Sequence, residues 1–552
     1  MTNIAIVLSL TAVVMLICIL SGSISSKMGV PVLIIFIGIG MLLGSDGIFK
    51  LEFENFEFAE QICTVAMVFI IFYGGFGVKW SQAKNAAASS LVLSCLGTIL
   101  TFALTAIFCS LVLGFSLHRA LIVGAVLSST DAASVFNILR SKNLNLKYNS
   151  ASILEIESGS NDPWAYMLTI ITLSIADGST SAGSVVKLFF SQLVFGAVIG
   201  MVLALAARKL ISRLHTSNQS LDMIIVAAIA MLSFSLPSLI GGNGFLSCYI
   251  CGIILGNSKI ENKKEIVHFF DGVTGIMQIA LFFLLGLLVN PSELPQVILP
   301  AIAVALALTL IIRPVAAAVS LAPFKAKLNQ IAVISFAGLR GASSIVFAIL
   351  VTVNDSYTES DVFNIVFCVV LLSIGIQGTL LPMVSKKLDM IDEGDVMKTF
   401  TDYSNETQIQ FICLPVKQGH PWLDKEVRQI TLPPETLLVM IMRGERTVIP
   451  RGSTQISEGD ILVLSAIGFE EKDGYTLPLT EEEISFGHPW SGRTIAQAVP
   501  KNVLVVLIKR GERTVIPNGN SIIKSGDILV THTANEELIS YKESYEEGDE
   551  DD

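Results

Sequence analysis

Glu157-Ser-Gly-Ser-Asn-Asp162 sits inside an apolar segment that runs from Ser150 to Ala176, and its reading decides the fold. Asp162 stands about 12 residues into that segment, roughly 18 Å at 1.5 Å per helical residue, close to the middle of a hydrocarbon core about 30 Å thick. A carboxylate is costly to hold at that depth, and a residue kept there marks an ion or proton pathway. The preceding apolar segment, near Arg119 to Arg140, carries Thr130-Asp131 at a similar depth from its opposite end. A third, near Leu328 to Val353, carries Arg340 between Gly338 and Gly341. Two acids and one base at one level of a membrane describe a site.

Composition sets the class. The chain has 552 residues, 52% of them hydrophobic and only 15% charged, whereas soluble domains sit near 25% charged. An integral membrane protein with a polar appendage follows, with the lipid bilayer as its surroundings. The net charge of −11 and the lack of a long basic run exclude nucleic acid as a partner. Of eight cysteines, only Cys413 lies outside the apolar segments, so no disulfide framework is expected. No P-loop, metal-ligand cluster or nucleophile–base pair is evident, so the chain does not read as an enzyme, and no cofactor is expected. The N-terminus lacks the features of a cleaved leader, which makes Ile4 to Ser21 a retained first helix.

The apolar stretches predict an all-α polytopic membrane domain over 1–387, with about thirteen transmembrane helices, inverted repeats and interrupted helices. With the N-terminus outside, the inside loops collect Lys79 and Lys84, Arg140 and Lys147, Arg208 to Arg213, Lys259 to Lys264, and Lys325 with Lys327. The outside loops carry only Lys50, Arg119 and Lys187. That split places the C-terminal region in the cytoplasm. A polar linker at 388–405 leads into two copies of one unit, 406–468 and 479–534, followed by an acidic tail at 535–552. Gly419-His-Pro-Trp422 returns as Gly487-His-Pro-Trp490, and Arg443-Gly-Glu-Arg-Thr-Val-Ile-Pro450 returns at Arg510 to Pro517. Gly459-Asp-Ile-Leu-Val463 returns at Gly526 to Val530, always at an offset of 67 to 68 residues. Each copy reads as a short helix followed by strands such as Leu437–Met442 or Val503–Ile508, giving a tandem pair of small α/β domains.

In a helix, Ser158 and Asp162 are i, i+4 neighbours, as are Glu157 and Asn161. Ser158 is therefore placed to add an oxygen to a cation held by Asp162. Asp131 lies in Ser128-Ser-Thr-Asp-Ala-Ala-Ser134, and Arg340 in Ala337-Gly-Leu-Arg-Gly-Ala-Ser-Ser344. Both runs are small and polar, as an interrupted helix needs where freed carbonyls line a cavity. Desolvation favours the neutral form of a buried carboxylate and a bound cation favours the charged form, so proton and cation compete for Asp162. Glu157 and Arg340 are expected to pair and clamp the two interrupted helices. Arg313 is expected to snorkel or to pair with Asp271, Glu155 to steer cations or simply to be solvated, and Gln278 and Gln377 to hydrogen-bond between helices.

These residues resemble the monovalent cation:proton antiporters of the NhaP-like type, through Thr130-Asp131, Glu157 to Asp162, and Gly338-Leu-Arg-Gly341. The resemblance implies transport chemistry on Asp162 and Asp131, and a monovalent cation bound by Asp162, Ser158 and Asp131. It implies Thr130 at the helix break, Asn161 as support, and Glu157 with Arg340 as the structural ion pair. The Asn161-Asp162 pair is similar to the electroneutral branch, implying one proton per cation. Many relatives carry an acid near the third helix, where Phe69-Ile-Ile-Phe-Tyr-Gly-Gly-Phe76 offers Tyr73 instead. The repeats resemble the regulatory RCK C-terminal (TrkA-C) domain, and the combination resembles potassium/proton antiporters. The resemblance thus implies exchange of cytoplasmic K⁺ for external H⁺ by alternating access in a bacterial inner-membrane homodimer. Na⁺ is the alternative cation, and a regulatory nucleotide such as cyclic di-AMP is a candidate ligand for the tail. A gated cation channel is the remote alternative, because no Thr-Val-Gly-Tyr-Gly filter is present.

Overall fold

The helix Ser150–Ala176 is 27 residues long and stays continuous through Pro163, which follows directly on Asp162. Its neighbours are built around it. A computed structural model describes residues 4–28, 31–51, 53–78, 80–142, 144–176, 181–214, 219–258, 260, 263–354, 361–392, 409–432, 436–444, 446–467, 479–485, 488–500, 503–510, 513–515 and 517–533. The acidic tail expected at 535–552 and most of the linker lie outside the described residues. The described chain divides into two units, Met1–Ser404 and Asn405–Asp552.

The first unit is helical. Among the described residues, seven helices are long and apolar enough to cross a membrane by length and composition. Shorter apolar helices include Leu117–Val126, Gly244–Gly256 and Ala342–Val353. Ser150–Ala176 has the length of a span, and its acids Glu155, Glu157 and Asp162 set it apart from the plainly apolar ones. Polar caps start several helices: Asn55 accepts from Phe58 N at 2.9 Å and Asn243 accepts from Leu246 N at 3.0 Å. The Ala182–Arg213 span is only 22% buried and exposes Phe190, Val194, Val198 and Val202, which fits a lipid-facing position.

Two expected spans are interrupted where the sequence is small and polar. Leu117–Val126 and Ala132–Ser141 are separated by residues 127–131, and Leu328–Phe336 and Ala342–Val353 by residues 337–341. Three further helices hold π-helical segments, at Leu93–Gly97, Leu308–Ile312 and Ser373–Gly378. The expected linker does not begin at residue 388. Met390 is fully buried, and Ile391–Asp392 pairs antiparallel with Asn145–Leu146, so this stretch belongs to the helical unit.

The second unit holds two sheets of identical order. In the first copy Ile409–Pro415 pairs with Asp460–Ile467, which pairs with Leu437–Arg443, which pairs with Arg446–Val448, all antiparallel. In the second the series is Leu479–Glu483, Asp527–Thr533, Val503–Arg510 and Arg513–Val515. The opening strands Ile409–Pro415 and Leu479–Glu483 escaped the sequence reading, because neither shows clean alternation. Leu438, Ile441 and Leu462 form the first core, with Val505, Ile508 and Leu529 in the second.

Each copy carries one forked ion pair at the same place. Arg443 donates to both Asp460 oxygens at 2.7 Å, and Arg510 to both Asp527 oxygens at 2.7 and 2.6 Å. Burial pushes the Asp460 carboxyl up, and the Arg443 guanidinium outweighs it, holding Asp460 below the usual range. Arg510 holds Asp527 below that range in the same way. A carboxyl depressed on folding contributes stability that is full above its unfolded value and is lost as pH falls through its folded value. The melting temperature of the tail should therefore hold steady down to about pH 4 and drop below it. Asp460→Asn should lower the neutral-pH melting temperature and shrink the acid drop, as followed by circular dichroism of residues 405–552.

Candidate functional site

The two interrupted segments meet at their breaks. The freed N–H of Asp131 donates to Leu339 O at 2.8 Å, and Arg340 Nη1 donates back to Ser128 O and Ser129 O at 3.1 and 2.6 Å. The guanidinium thus sits on carbonyls just past the C-terminal end of Leu117–Val126, where a helix dipole favours a cation. The second break is braced from the last helix. Arg340 N donates to Ser373 Oγ at 3.0 Å and Gln377 Nε2 donates to Phe336 O at 2.5 Å. Both braces come from the π-helical turn Ser373–Gly378, which aims one extra residue at the break. Gly341 is required by close approach: a Cβ there would stand 2.1 Å from Asp131 Oδ2. Gly338 likewise lets Arg313 pass, since its Cβ would stand 2.5 Å from Arg313 Nε.

Asp162 lies beside this crossing. Ser129 Oγ donates to Asp162 Oδ1, and Ser129 Oγ lies 2.7 Å from Ser343 Oγ. Ser129 belongs to the first break and Ser343 to the first turn of Ala342–Val353, so a chain of hydroxyls from both interrupted segments ends on one carboxylate. The N-terminal end of that helix also favours the negative charge. Pro163 has no N–H, so Gly159 O loses its i+4 donor and remains a backbone oxygen near Asp162. Carboxylate, hydroxyl and carbonyl oxygens are the ligands a hard monovalent cation takes.

Asp131 heads Ala132–Ser141, accepting from Ser134 N at 3.2 Å and Ser134 Oγ at 2.6 Å. Each of its oxygens keeps further acceptor capacity. Ser158 is displaced from its expected role. Its hydroxyl donates to Thr130 O at 2.8 Å and accepts from Ala132 N at 2.9 Å, which stitches the Ser150–Ala176 helix to the first break. Ser129, itself bonded to Ser343, makes the contact with Asp162 that the i, i+4 spacing assigned to Ser158. Both stand in the small polar runs the sequence exposes, but only the crossing of the breaks aims them.

The expected Glu157–Arg340 ion pair is not formed. Arg313 Nη2 donates to Glu157 Oε1 and Oε2 at 2.8 and 2.7 Å, with both side chains almost fully buried. Arg340 is committed to the Ser128 and Ser129 carbonyls, which leaves Glu157 to the arginine on the neighbouring helix. Arg313 therefore does not pair with Asp271, whose carboxylate accepts from Tyr73 Oη at 2.7 Å. Glu157 Oε1 also accepts from Thr130 Oγ1 and Asn161 Nδ2, both at 3.3 Å, and Asn161 Nδ2 reaches Thr130 Oγ1 at 2.5 Å. Thr130 and Asn161 thus tie the ion pair to the first break.

A cavity of about 300 Å³ leads to this point. Its lining includes Asp131, Ser158, Gly159, Asp162 and Ser343, together with Tyr73, Glu155 and Asp271. Among the described residues no group of three His, Cys, Asp or Glu side chains is arranged to hold a metal ion. Oxygens of Asp131, Asp162 and Ser343 are gathered at this otherwise largely apolar cavity.

The family profile described as "Sodium/hydrogen exchanger, transmembrane" matches residues 12–387, and the TrkA-C domain matches 414–467 and 479–531. The chain is 34% identical over 459 residues to the K(+)/H(+) antiporter NhaP of Alkalimonas amylolytica, spanning 82% of this chain and 80% of the relative. It is 30% identical over 453 residues to the K(+)/H(+) antiporter NhaP2 of Shewanella sp. (strain MR-4), spanning 80% and 78%. In structure it is similar to the sodium proton antiporter MjNhaP1 from Methanocaldococcus jannaschii at pH 8. That match has a TM-score of 0.62 at 20% identity and covers 70% of this chain and 99% of the other.

Removing one partner of a buried pair costs about 3–5 kcal/mol, whereas replacing both by apolar residues is often close to neutral. Arg313→Met should therefore lower the unfolding temperature of the detergent-solubilised protein markedly. Adding Glu157→Leu to it should recover part of the loss, as read by fluorescence-detected thermal unfolding.

Proposed function

The chain belongs to the sodium/hydrogen exchanger family as a cation/proton antiporter of the NhaP type, not an enzyme, and from that premise we propose that it exchanges K⁺ for H⁺ around Asp162. The observation that carries the reading is one carboxylate lining a cavity, bonded to Ser129 of the first break, which in turn meets Ser343 of the second interrupted segment. Proton and cation compete for it. Protonated, Asp162 is neutral; deprotonated, it is the negative ligand of a cation held with Ser129, Ser343 and the Gly159 carbonyl. Asp131, Thr130, Ser158 and Asn161 shape the shell and keep the break open. One charge carried in either state makes the exchange one proton per cation, hence electroneutral.

Alternating access follows if the crossing of the two breaks moves as a body between openings to either face of the membrane. The Glu157–Arg313 pair and the Arg340 contacts to Ser128 and Ser129 hold that body together. The potassium reading draws on the relatives from Alkalimonas and Shewanella, both named K(+)/H(+) antiporters. Na⁺ is the second reading, favoured by the likeness to a probable Na(+)/H(+) antiporter 2 of Methanocaldococcus jannaschii, 27% identical over 350 residues. The bias of loop lysines and arginines supports a cytoplasmic TrkA-C pair, and the family resemblance supports a bacterial inner-membrane homodimer. There the pair regulates transport, with a nucleotide such as cyclic di-AMP as a ligand of suitable class.

In proteoliposomes with an acidic interior, external KCl should drive proton efflux, and clamping the membrane potential at different values should leave the rate unchanged. Asp162→Asn should abolish the flux. Efflux driven by NaCl alone would move the assignment to sodium, and an Asp162→Asn protein exchanging at the normal rate would overturn the mechanism.

A further inference from the structure

The cavity has a second polar wall that the exchange chemistry at Asp162 does not use. On the helix Ser150–Ala176, Glu155, Ser158, Gly159 and Asp162 line it, at i, i+3, i+4 and i+7. That spacing keeps all four on one helical face. On the helix Lys263–Leu287, Asp271, Thr274, Gly275 and Gln278 line the same cavity at the same four spacings. Each wall runs acid, hydroxyl, glycine, then a carboxylate or an amide. Glu155 and Asp162 are separated by roughly 10 Å along their helix. Burial changes in the same direction: Asp162 is buried, Glu155 half-buried and Asp271 exposed. Asp271 is also held in place, because Tyr73 Oη donates to Asp271 Oδ1 at 2.7 Å and Tyr73 itself is buried on the helix Phe56–Gly77.

We propose that Asp271, positioned by Tyr73, is the outer cation-capture residue of this path, receiving a monovalent cation from water before it passes between the two walls to Asp162. The inference rests on the reading of Asp162 as the exchange site. A carboxylate at the open end of a low-dielectric slot raises the local cation concentration and the rate of capture. It is not needed for the competition between proton and cation, which takes place deeper. Tyr73 supplies a hydroxyl where an acid would add a second charge, so it orients Asp271 without competing for the ion. Gly275 leaves open space on the second wall, where an added Cβ would meet nothing within 4 Å.

The test is cation-driven proton flux in proteoliposomes of the full chain, measured against K⁺ and Na⁺ concentration for wild type, Asp271→Asn, Asp271→Glu and Tyr73→Phe. A unit charge at about 10 Å across a partly screened cavity changes local cation occupancy between about twofold and tenfold. Asp271→Asn should raise KM for the cation by that factor with little change in maximal rate. The difference should shrink as ionic strength is raised with an impermeant salt, since exposed charges are screened over about 8 Å at 0.15 M. Asp271→Glu should stay near wild type, and Tyr73→Phe should raise KM in the same direction by less. Asp361→Asn, which alters an exposed acid paired with Arg119 elsewhere, should leave KM unchanged. An unchanged KM in both Asp271→Asn and Tyr73→Phe overturns the proposal, as does a lower maximal rate without a salt-dependent KM shift. Wild type without exchange, or Asp162→Asn equal to wild type, would instead overturn the underlying reading.

Discussion

Everything in the helical unit depends on the crossing of two broken segments, held by Arg340 on the Ser128 and Ser129 carbonyls and by Asp131 N on Leu339 O. Breaking a helix frees backbone groups that hydrocarbon cannot satisfy, so each break is stable only where the other supplies partners. The reciprocity is close. The first break offers carbonyls to the arginine of the second, and the second offers a carbonyl to the amide of the first. Ser373 and Gln377 take up what remains of the second break. A charged site then comes at little additional cost, because the dipoles that would destabilise an apolar crossing stabilise Asp162 and Arg340 at opposite poles.

Much of this is legible in the sequence, for physical reasons. Asp162, Asp131 and Arg340 stand out because charge is rare in apolar segments, and the small polar runs at Ser128–Ser134 and Ala337–Ser344 mark the interruptions directly. The repeated tail is equally plain, since identical turns recur at a fixed offset. Partner choice is harder to read. Two arginines and several acids lie at comparable depth, and helical spacing within one segment does not say which neighbouring helix faces it. Hence Glu157 is assigned to Arg340 by sequence and to Arg313 by structure. Ser158 illustrates the same limit. Its i, i+4 spacing from Asp162 is real, yet the nearby break offers its hydroxyl Thr130 O and Ala132 N instead.

The tail repeats the lesson in small. The recurrence of Arg443 and Arg510, and of Asp460 and Asp527, is visible as letters, but the separation of 17 positions within each pair conceals a forked ion pair across adjacent strands. The edge strands Ile409–Pro415 and Leu479–Glu483 carry weak alternation in their letters, so the period-2 signal of a half-buried strand does not mark them. The two units thus use charge differently. In the tail, paired charges fasten small sheets; in the helical unit, Glu157 and Arg313 fasten the scaffold while Asp162, without an arginine partner, lines the cavity.

The central claim is that a cation and a proton compete for one carboxylate, and direct proton counting tests it. Purified protein in weakly buffered detergent solution near neutral pH is titrated with KCl, then NaCl, while released protons and bound cation are measured together. The account predicts up to one proton released per cation bound, with the ratio falling as pH rises and Asp162 is already deprotonated, and no release from Asp162→Asn. Cation binding to wild type with no proton release at any pH would contradict it.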